Sequence, residues 1–274
     1  MTISIPDTLT TDNSEKYMMS IRLRPDGLSF SAYSPGEGQS FFFRDVTFDG
    51  NAPYTSSLKE LFFTNECLTW TYKKTNILSV SGQYTLLPDS VFEEKMRSAV
   101  LAFNFSYPEK RCLVNHLEEE KARLIFGVNE EIYEFCARST TNPLFTHHIT
   151  SCLTILRKET YGASPSRMYV IVHRRMVDII CFEGERLVFV NSFDFDNMGD
   201  LTYYILYAWV ETGMNQLEDA MLLSGDAGMC TRLTASLATY IRHIGRMGIP
   251  SAAYLLSGEI LQAPSDLILM MLCE

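Results

Sequence analysis

The stretch Met168-Tyr169-Val170-Ile171-Val172-His173-Arg174-Arg175-Met176-Val177-Asp178-Ile179-Ile180-Cys181-Phe182 decides the fold, because two apolar runs flank a pair of cations that suits a tight turn. After Glu183-Gly184-Glu185 a third run, Arg186 to Phe195, completes a meander of three strands. Met198 to Thr212 then has the length and apolar content of a helix closed by Gly213. Asp219 to Ser224 returns as a strand that meets Gly225, and Gly228 to Ile241 reads as another helix. The same order stands near the other end of the chain. Met18 to Arg24 alternates as a strand, Pro25-Asp26-Gly27 turns it, and Leu28 to Ser34 runs back. Ser40 to Phe48 follows, its Phe41, Phe42 and Phe43 suited to burial on both faces. Ser56 or Ser57 is placed to cap a helix over Leu58 to Cys67, and Asn76 to Val80 resumes as strand. A strand-strand-strand-helix-strand unit is therefore used twice.

Between the two units the pattern changes. Tyr84 to Leu87 reads as a short strand, and Asp89 or Ser90 opens a helix to Phe103. Arg111 to Leu117 and Arg123 to Val128 are strands, Asn129 caps a helix to Arg138, and Leu144 to His147 is a last strand. This is β-α-β-β-α-β, the split-βαβ pattern, expected as an insert over about residues 84–148. A helix over Ile149 to Lys158 leads to the linker Tyr161-Gly162-Ala163-Ser164-Pro165. The expected organisation is a flexible arm (1–16), a first lobe with the insert (17–160) and a second lobe (161–274). Near the end, Arg246 to Ile249 is expected as strand and Ser265 to Cys273 as helix.

With 274 residues, 46% of them hydrophobic, the chain has enough apolar side chains for one large or two medium cores. Acidic residues exceed basic ones by 33 to 23, a net charge of -10, which argues against a surface built to neutralise nucleic-acid phosphates. The seven cysteines are scattered, with no Cys-x-x-Cys, and read as buried thiols of a reducing compartment. The N-terminus lacks the basic start and apolar core of a secretory signal, and the longest apolar stretch, Leu201 to Val210, is about half a bilayer span. A soluble cytoplasmic protein with no membrane span is expected.

Ser20-Ile21-Arg22-Leu23, Tyr84-Thr85-Leu86-Leu87-Pro88, Asn191-Ser192-Phe193, Tyr203-Tyr204-Ile205-Leu206 and Leu222-Leu223-Ser224-Gly225-Asp226 resemble an uncharacterised bacterial family with an actin-like ATPase fold and no assigned activity. The order of elements over most of the chain is similar to the bacterial actin-like branch that includes cell-division and type IV pilus assembly proteins. The resemblance implies a mixed α/β, ribonuclease-H-like duplicated fold with a β-α-β-β-α-β insert, and no reaction. The actin-like pattern places in each meander turn an acidic residue and glycines followed by Ser or Thr. Backbone N–H groups there cradle phosphates, and the carboxylate orients metal-bound water. Neither turn complies. Arg22-Leu23-Arg24-Pro25-Asp26-Gly27-Leu28 loses a donor at the proline, and Val172-His173-Arg174-Arg175-Met176-Val177-Asp178 has no glycine to allow close backbone approach. Leu223-Ser224-Gly225-Asp226-Ala227-Gly228 alone is similar to the family's adenosine-side turn. Ser224, Gly225 and Asp226, with Arg174 and Arg175 as compensating cations, are thus the residues implied for ATP and Mg²⁺ if nucleotide binds.

Other candidates have plainer readings. Asp194 and Asp196, spaced to share one side of a strand, with Asp200 a turn along, offer oxygens to Mg²⁺ or Ca²⁺; the stronger reading is a cap at Asp196 or Asn197 and a dipole-favoured Asp200. His147-His148 face opposite sides of a strand and read as structural, and His116, His173 and His243 show no dyad with a nucleophile. Tyr203, Tyr204, Tyr207 and Trp209 spread round most of their helix, which favours burial between layers over presentation to a partner. The leading expectation is a non-catalytic actin-like module, a pseudoenzyme with no catalytic residue or metal ligand, acting through a protein partner or a homodimer. The alternative is an ATP-binding switch or weak ATPase.

Overall fold

The computed structural model describes residues 2–160, 165–255 and 258–273. The elements run β1 (Met18–Arg24), β2 (Gly27–Tyr33), β3 (Phe42–Thr47), α1 (Tyr54–Thr64), β4 (Lys74–Ser79), β5 (Tyr84–Pro88), α2 (Arg97–Asn104), β6 (Arg111–Leu117), β7 (Ala122–Val128), α3 (Glu130–Ser139), β8 (Pro143–His147), α4 (His148–Glu159), β9 (Arg167–Val172), β10 (Met176–Glu183), β11 (Arg186–Asp194), α5 (Met198–Glu211), β12 (Ala220–Ser224), α6 (Ala227–Leu237), β13 (His243–Arg246) and α7 (Ser265–Met271). Contacts group them into two compact units, Met1–Ser151 with Pro250–Leu272, and Cys152–Ile249.

In the first unit the alternation of β1 and β2 turns Met19, Ile21, Leu23, Leu28, Phe30 and Ala32 to one face, where they pack with Leu58, Leu61 and Phe62 of α1. The sheet order is β3-β2-β1-β4-β8. β1 is antiparallel to β2 and parallel to β4, because α1 supplies the crossover that a parallel pair requires. The second unit repeats this arrangement as β11-β10-β9-β12-β13. Met168, Val170 and Val172 of β9 and Val177, Ile179 and Cys181 of β10 pack against Leu201, Ile205, Ala208 and Trp209 of α5 and Leu233 and Leu237 of α6. The duplicated α/β fold expected from the two meanders is the fold observed. None of the described helices is long and apolar enough to cross a membrane.

Several boundaries differ from the sequence reading, each for a tertiary reason. The residues expected as a flexible arm pack on the first unit: Leu9 is 2% exposed, and Ile3 and Ile5 lie against the same core. Helix α1 starts one turn before Leu58, anchored by the Tyr54 hydroxyl donating to the Gly27 carbonyl (3.0 Å) and by the Tyr54 ring against Phe48. Asp89 does not open a long helix, because its carboxylate is taken by His116 (3.0 Å) and Arg123 (2.8 Å), and α2 is confined to Arg97–Asn104. The insert forms a three-stranded sheet, β5-β7-β6, while β8 leaves the split-βαβ pattern to pair with β4 in the main sheet. Strand β13 lies at His243–Arg246, earlier than expected, where it pairs with Ala220–Leu223. Pro250–Leu272 groups with the first unit instead of ending the second. Of the expected linker, 161–164 lies outside the described residues.

Candidate functional site

In an open α/β sheet, ligands are met beyond the carboxyl ends of the parallel strands. In the second unit that place is defined by the ends of β9 and β12. Ser224 pairs with Ile171, so Gly225 leaves the sheet beside Val172. Gly225 has φ +132°, and a Cβ on it would lie 2.6 Å from the Val172 carbonyl oxygen, so only glycine fits this close approach. Asp226 follows and caps α6, its carboxylate accepting from the Met229 N–H at 2.9 Å. Arg246 donates to the Gly225 carbonyl at 3.1 Å. The hairpin His173–Met176 turns at the same end, so the structure brings Arg174 and Arg175 to the end of the sheet that carries Ser224, Gly225 and Asp226. Arg175, largely exposed, is paired with Asp196.

The hairpin has its own chemistry, which the spacing of residues did not reveal. Asp178 on β10 lies opposite Ser192 of β11 and is fully buried. Its carboxylate is 2.6 Å from His173 Nε2 and accepts from the Ser192 hydroxyl at 2.5 Å. His173 therefore pairs with a carboxylate, a partner that the sequence reading, which looked only for a dyad with a nucleophile, did not identify. The available signal was the hairpin register, since strand alternation puts residues 178 and 192 on one face only once Asp178 is known to stand opposite Ser192.

At the first hairpin the charge is reversed. Arg22, near the end of β1, is 4% exposed, and its guanidinium meets the buried Asp266 of α7 through Nε at 2.9 and 2.7 Å and Nη2 at 2.7 Å. Asp26, in the turn itself, receives Arg24 Nε at 2.8 Å, and Arg24 also pairs with Asp45. Gly27 has φ +152°, and a Cβ there would stand 2.1 Å from the Val46 carbonyl, so this glycine serves the approach of β3.

The remaining candidates are engaged by local bonds. Asn197, not Asp196, caps α5, accepting from Gly199 N–H (2.8 Å) and Asp200 N–H (3.1 Å), while Asp200 accepts from Asn197 Nδ2 at 2.9 Å. Both histidines of His147-His148 are buried and reach backbone carbonyls, His147 Nε2 at 3.1 Å from Ser81 O and His148 Nδ1 at 3.2 Å from Ser79 O. The aromatic set divides: Trp209 is core, Tyr204 stacks on Phe193 at 4.7 Å, and Tyr203 and Tyr207 are exposed. Burial pushes the Cys67 thiol up to about 11 and those of Cys136 and Cys181 up to about 12, which suits inert core thiols. A cavity of about 300 Å³ opens between Ser166, Cys181, Glu183, Arg186, Thr212 and Asp219. It lies where β9 and β12 begin, the opposite end from the hairpin, and belongs to a different part of the unit.

These two sheets and their hairpins place the chain among proteins with the actin-like ATPase fold. A Bacteroides thetaiotaomicron VPI-5482 protein described as having an actin-like ATPase fold and unknown function is 27% identical over 99% of this chain and 100% of its own, with a TM-score of 0.84. A chain of the PilM-PilN type IV pilus biogenesis complex superposes with a TM-score of 0.55 at 9% identity, covering 93% of this chain and 94% of that one. The chain belongs to the family described as protein of unknown function (DUF3822), whose pattern it matches over residues 6–244. No curated protein matches it.

Proposed function

We propose that this chain is a non-catalytic, cytoplasmic member of the actin-like fold that works as a binding or assembly module through protein–protein contacts. The observation that supports this is that the carboxylate at each hairpin is already engaged by the chain: Asp26 by Arg24 at 2.8 Å, and the fully buried Asp178 by His173 at 2.6 Å and Ser192 at 2.5 Å. A phosphate-transfer site of this fold needs an accessible carboxylate to orient metal-bound water, with glycine backbone beside it for the phosphates. The second hairpin offers Arg174 and Arg175 without a glycine. The first unit's buried side chain near the turn is a cation, Arg22. At the third turn the Asp226 carboxylate stands at the positive end of α6, where a phosphate would otherwise be stabilised, and repels it. The residues present therefore fit ATP with Mg²⁺ poorly. The occurrence of the same fold in a pilus biogenesis complex is a precedent for its use in assembly.

One observation favours a second reading, a nucleotide switch: Gly225 opens a close turn ahead of α6 at the end of the sheet that also carries Arg174 and Arg175. A thermal-shift titration with ATP and Mg²⁺ separates the two. A site filled at a hundred times its dissociation constant gains about 2.7 kcal/mol. The module reading expects no shift at millimolar nucleotide. A saturable shift that Arg174→Ala and Arg175→Ala abolish would establish the switch instead.

A further inference from the structure

We propose that residues 250–272 are an exchange segment, docking on the first unit of their own chain in the monomer and on the first unit of a second copy in a reciprocal dimer. This rests on the assembly-module reading and names its partner and its surface. Just beyond β13 the Met247 N–H still donates to the Leu223 carbonyl of the second unit, at 2.8 Å. From Pro250 to Leu272 the chain groups with the first unit. The hinge is therefore Gly248-Ile249-Pro250, short and stiffened by a proline that disfavours helical backbone at Ile249. Short hinges favour exchange, because a terminal element that folds back only under strain finds the same contacts on a neighbour. The described residues of the segment add no strand to any sheet, so no strand register binds it to one particular chain.

The surface that receives the segment is complementary to it in charge. Between Pro250 and Leu272 the sequence has only two charged residues, Glu259 and Asp266, and each meets an arginine of the first unit. Asp266 faces Arg22 of β1, with Nη2 at 2.7 Å and both side chains buried. Glu259 pairs with Arg44 at 3.0 Å and also accepts the Phe43 N–H at 3.1 Å, on the outer edge of β3. Of the apolar residues, Ile260 and Leu267 are fully buried and Ile268 to Met271 nearly so. Helix α7 has seven residues and no side-chain cap, too short to persist by itself, so it forms where the cradle holds it. An empty cradle takes Asp266 away from the buried Arg22, which is strongly unfavourable, and an undocked segment exposes its apolar residues to water. Each cradle therefore requires a segment, and an identical one from a second copy restores every contact. The two forms then differ at the hinge and in which chain supplies the segment.

Refolding the full chain from urea at low and at high concentration, followed by size-exclusion chromatography and native mass spectrometry, tests this. The wild type refolded at high concentration is expected to contain a dimer that persists on dilution, because reversal requires the whole segment to undock. Deleting Gly248 and Ile249 leaves both ion pairs in place and should raise the dimer share severalfold, whereas a Gly-Ser-Gly-Ser insertion after Gly248 should lower it. Arg44→Glu and Glu259→Arg each set like charges across the docking at partly exposed positions. Refolded together, the two variants should form the mixed dimer in excess of its random share, since only exchange between them brings opposite charges together. A wild type and a shortened hinge that both remain monomeric overturn the exchange. A dimer indifferent to hinge length, or mixed at its random share, overturns the use of this segment. Failure of the module reading registers separately, as stabilisation by nucleotide.

Discussion

Changing Asp266 to asparagine keeps the shape of the side chain and removes its charge, leaving the Arg22 guanidinium buried opposite a neutral amide. The pair is 5% and 0% exposed at its side chains, and Asp266 also accepts the Leu267 N–H at 2.8 Å, so neither ion has water to fall back on. Breaking a buried pair from one side costs about 3–5 kcal/mol. The amide retains one acceptor oxygen for Arg22 and Leu267, which places Asp266→Asn near the lower end, about 3 kcal/mol. For a unit of this size that corresponds to a fall in Tm of about 6–12 °C. Replacing both partners by apolar residues, Arg22→Met with Asp266→Leu, should come within about 1 kcal/mol of the wild type, since no charge is then stranded. The two tryptophans divide between the units, Trp70 against the first core and Trp209 in the second, so urea unfolding followed by Trp70 fluorescence in a Trp209→Phe background reads the first unit alone. The reasoning fails if Asp266→Asn unfolds within about 1 kcal/mol of its parent, or if the double replacement is as damaging as the single one.

Three further outcomes are expected. Gly27→Ala should destabilise the first unit by at least about 1–3 kcal/mol in urea, because φ is +152° and the new methyl would stand 2.1 Å from the Val46 carbonyl; a neutral result would mean that β3 is free to move away. Asp226→Ala should cost about 1 kcal/mol through loss of the α6 cap, and Asp226→Asn, which still caps, should cost only a few tenths by the same measurement. At mildly alkaline pH a thiol reagent should modify Cys273 rapidly and leave Cys67, Cys136 and Cys181 unmodified until the chain unfolds, since burial both excludes the reagent and raises their pKa. Rapid native labelling of any of those three, located by mass spectrometry, would show that the core opens.

What could be read in advance follows the range of the interaction. Both meanders were legible because strand alternation and turn residues act over a few positions: Pro25-Asp26-Gly27 and Glu183-Gly184-Glu185 mark the reversals, and the observed strands lie where those turns require. The Asn129 cap of α3 was legible for the same reason, its Oδ1 reaching the Glu131 and Ile132 N–H groups. Boundaries set by distant partners were not. Asp89 has the sequence signature of a helix cap, yet its partners are His116 and Arg123, 27 and 34 residues away. Strand β8 sits where a split-βαβ pattern would use it, but the parallel edge of β4 takes it instead.

The site divides along the same line. The missing glycines and the proline of the hairpin turns are local facts, and they are what the expectation of no phosphate cradle rests on. What occupies the space instead depends on partners the turns cannot reveal, since Arg22 meets Asp266 across 244 residues. A cation at the end of β1 read alone looks like a replacement phosphate ligand. Once Asp266 neutralises it behind 4% exposure, it is a structural ion with no charge to offer an anion. The same argument applies to Asp178, which alone resembles the carboxylate such a hairpin needs, until His173 and Ser192 are found to hold it. Charge therefore says little about ligands at these hairpins until its internal partners are counted.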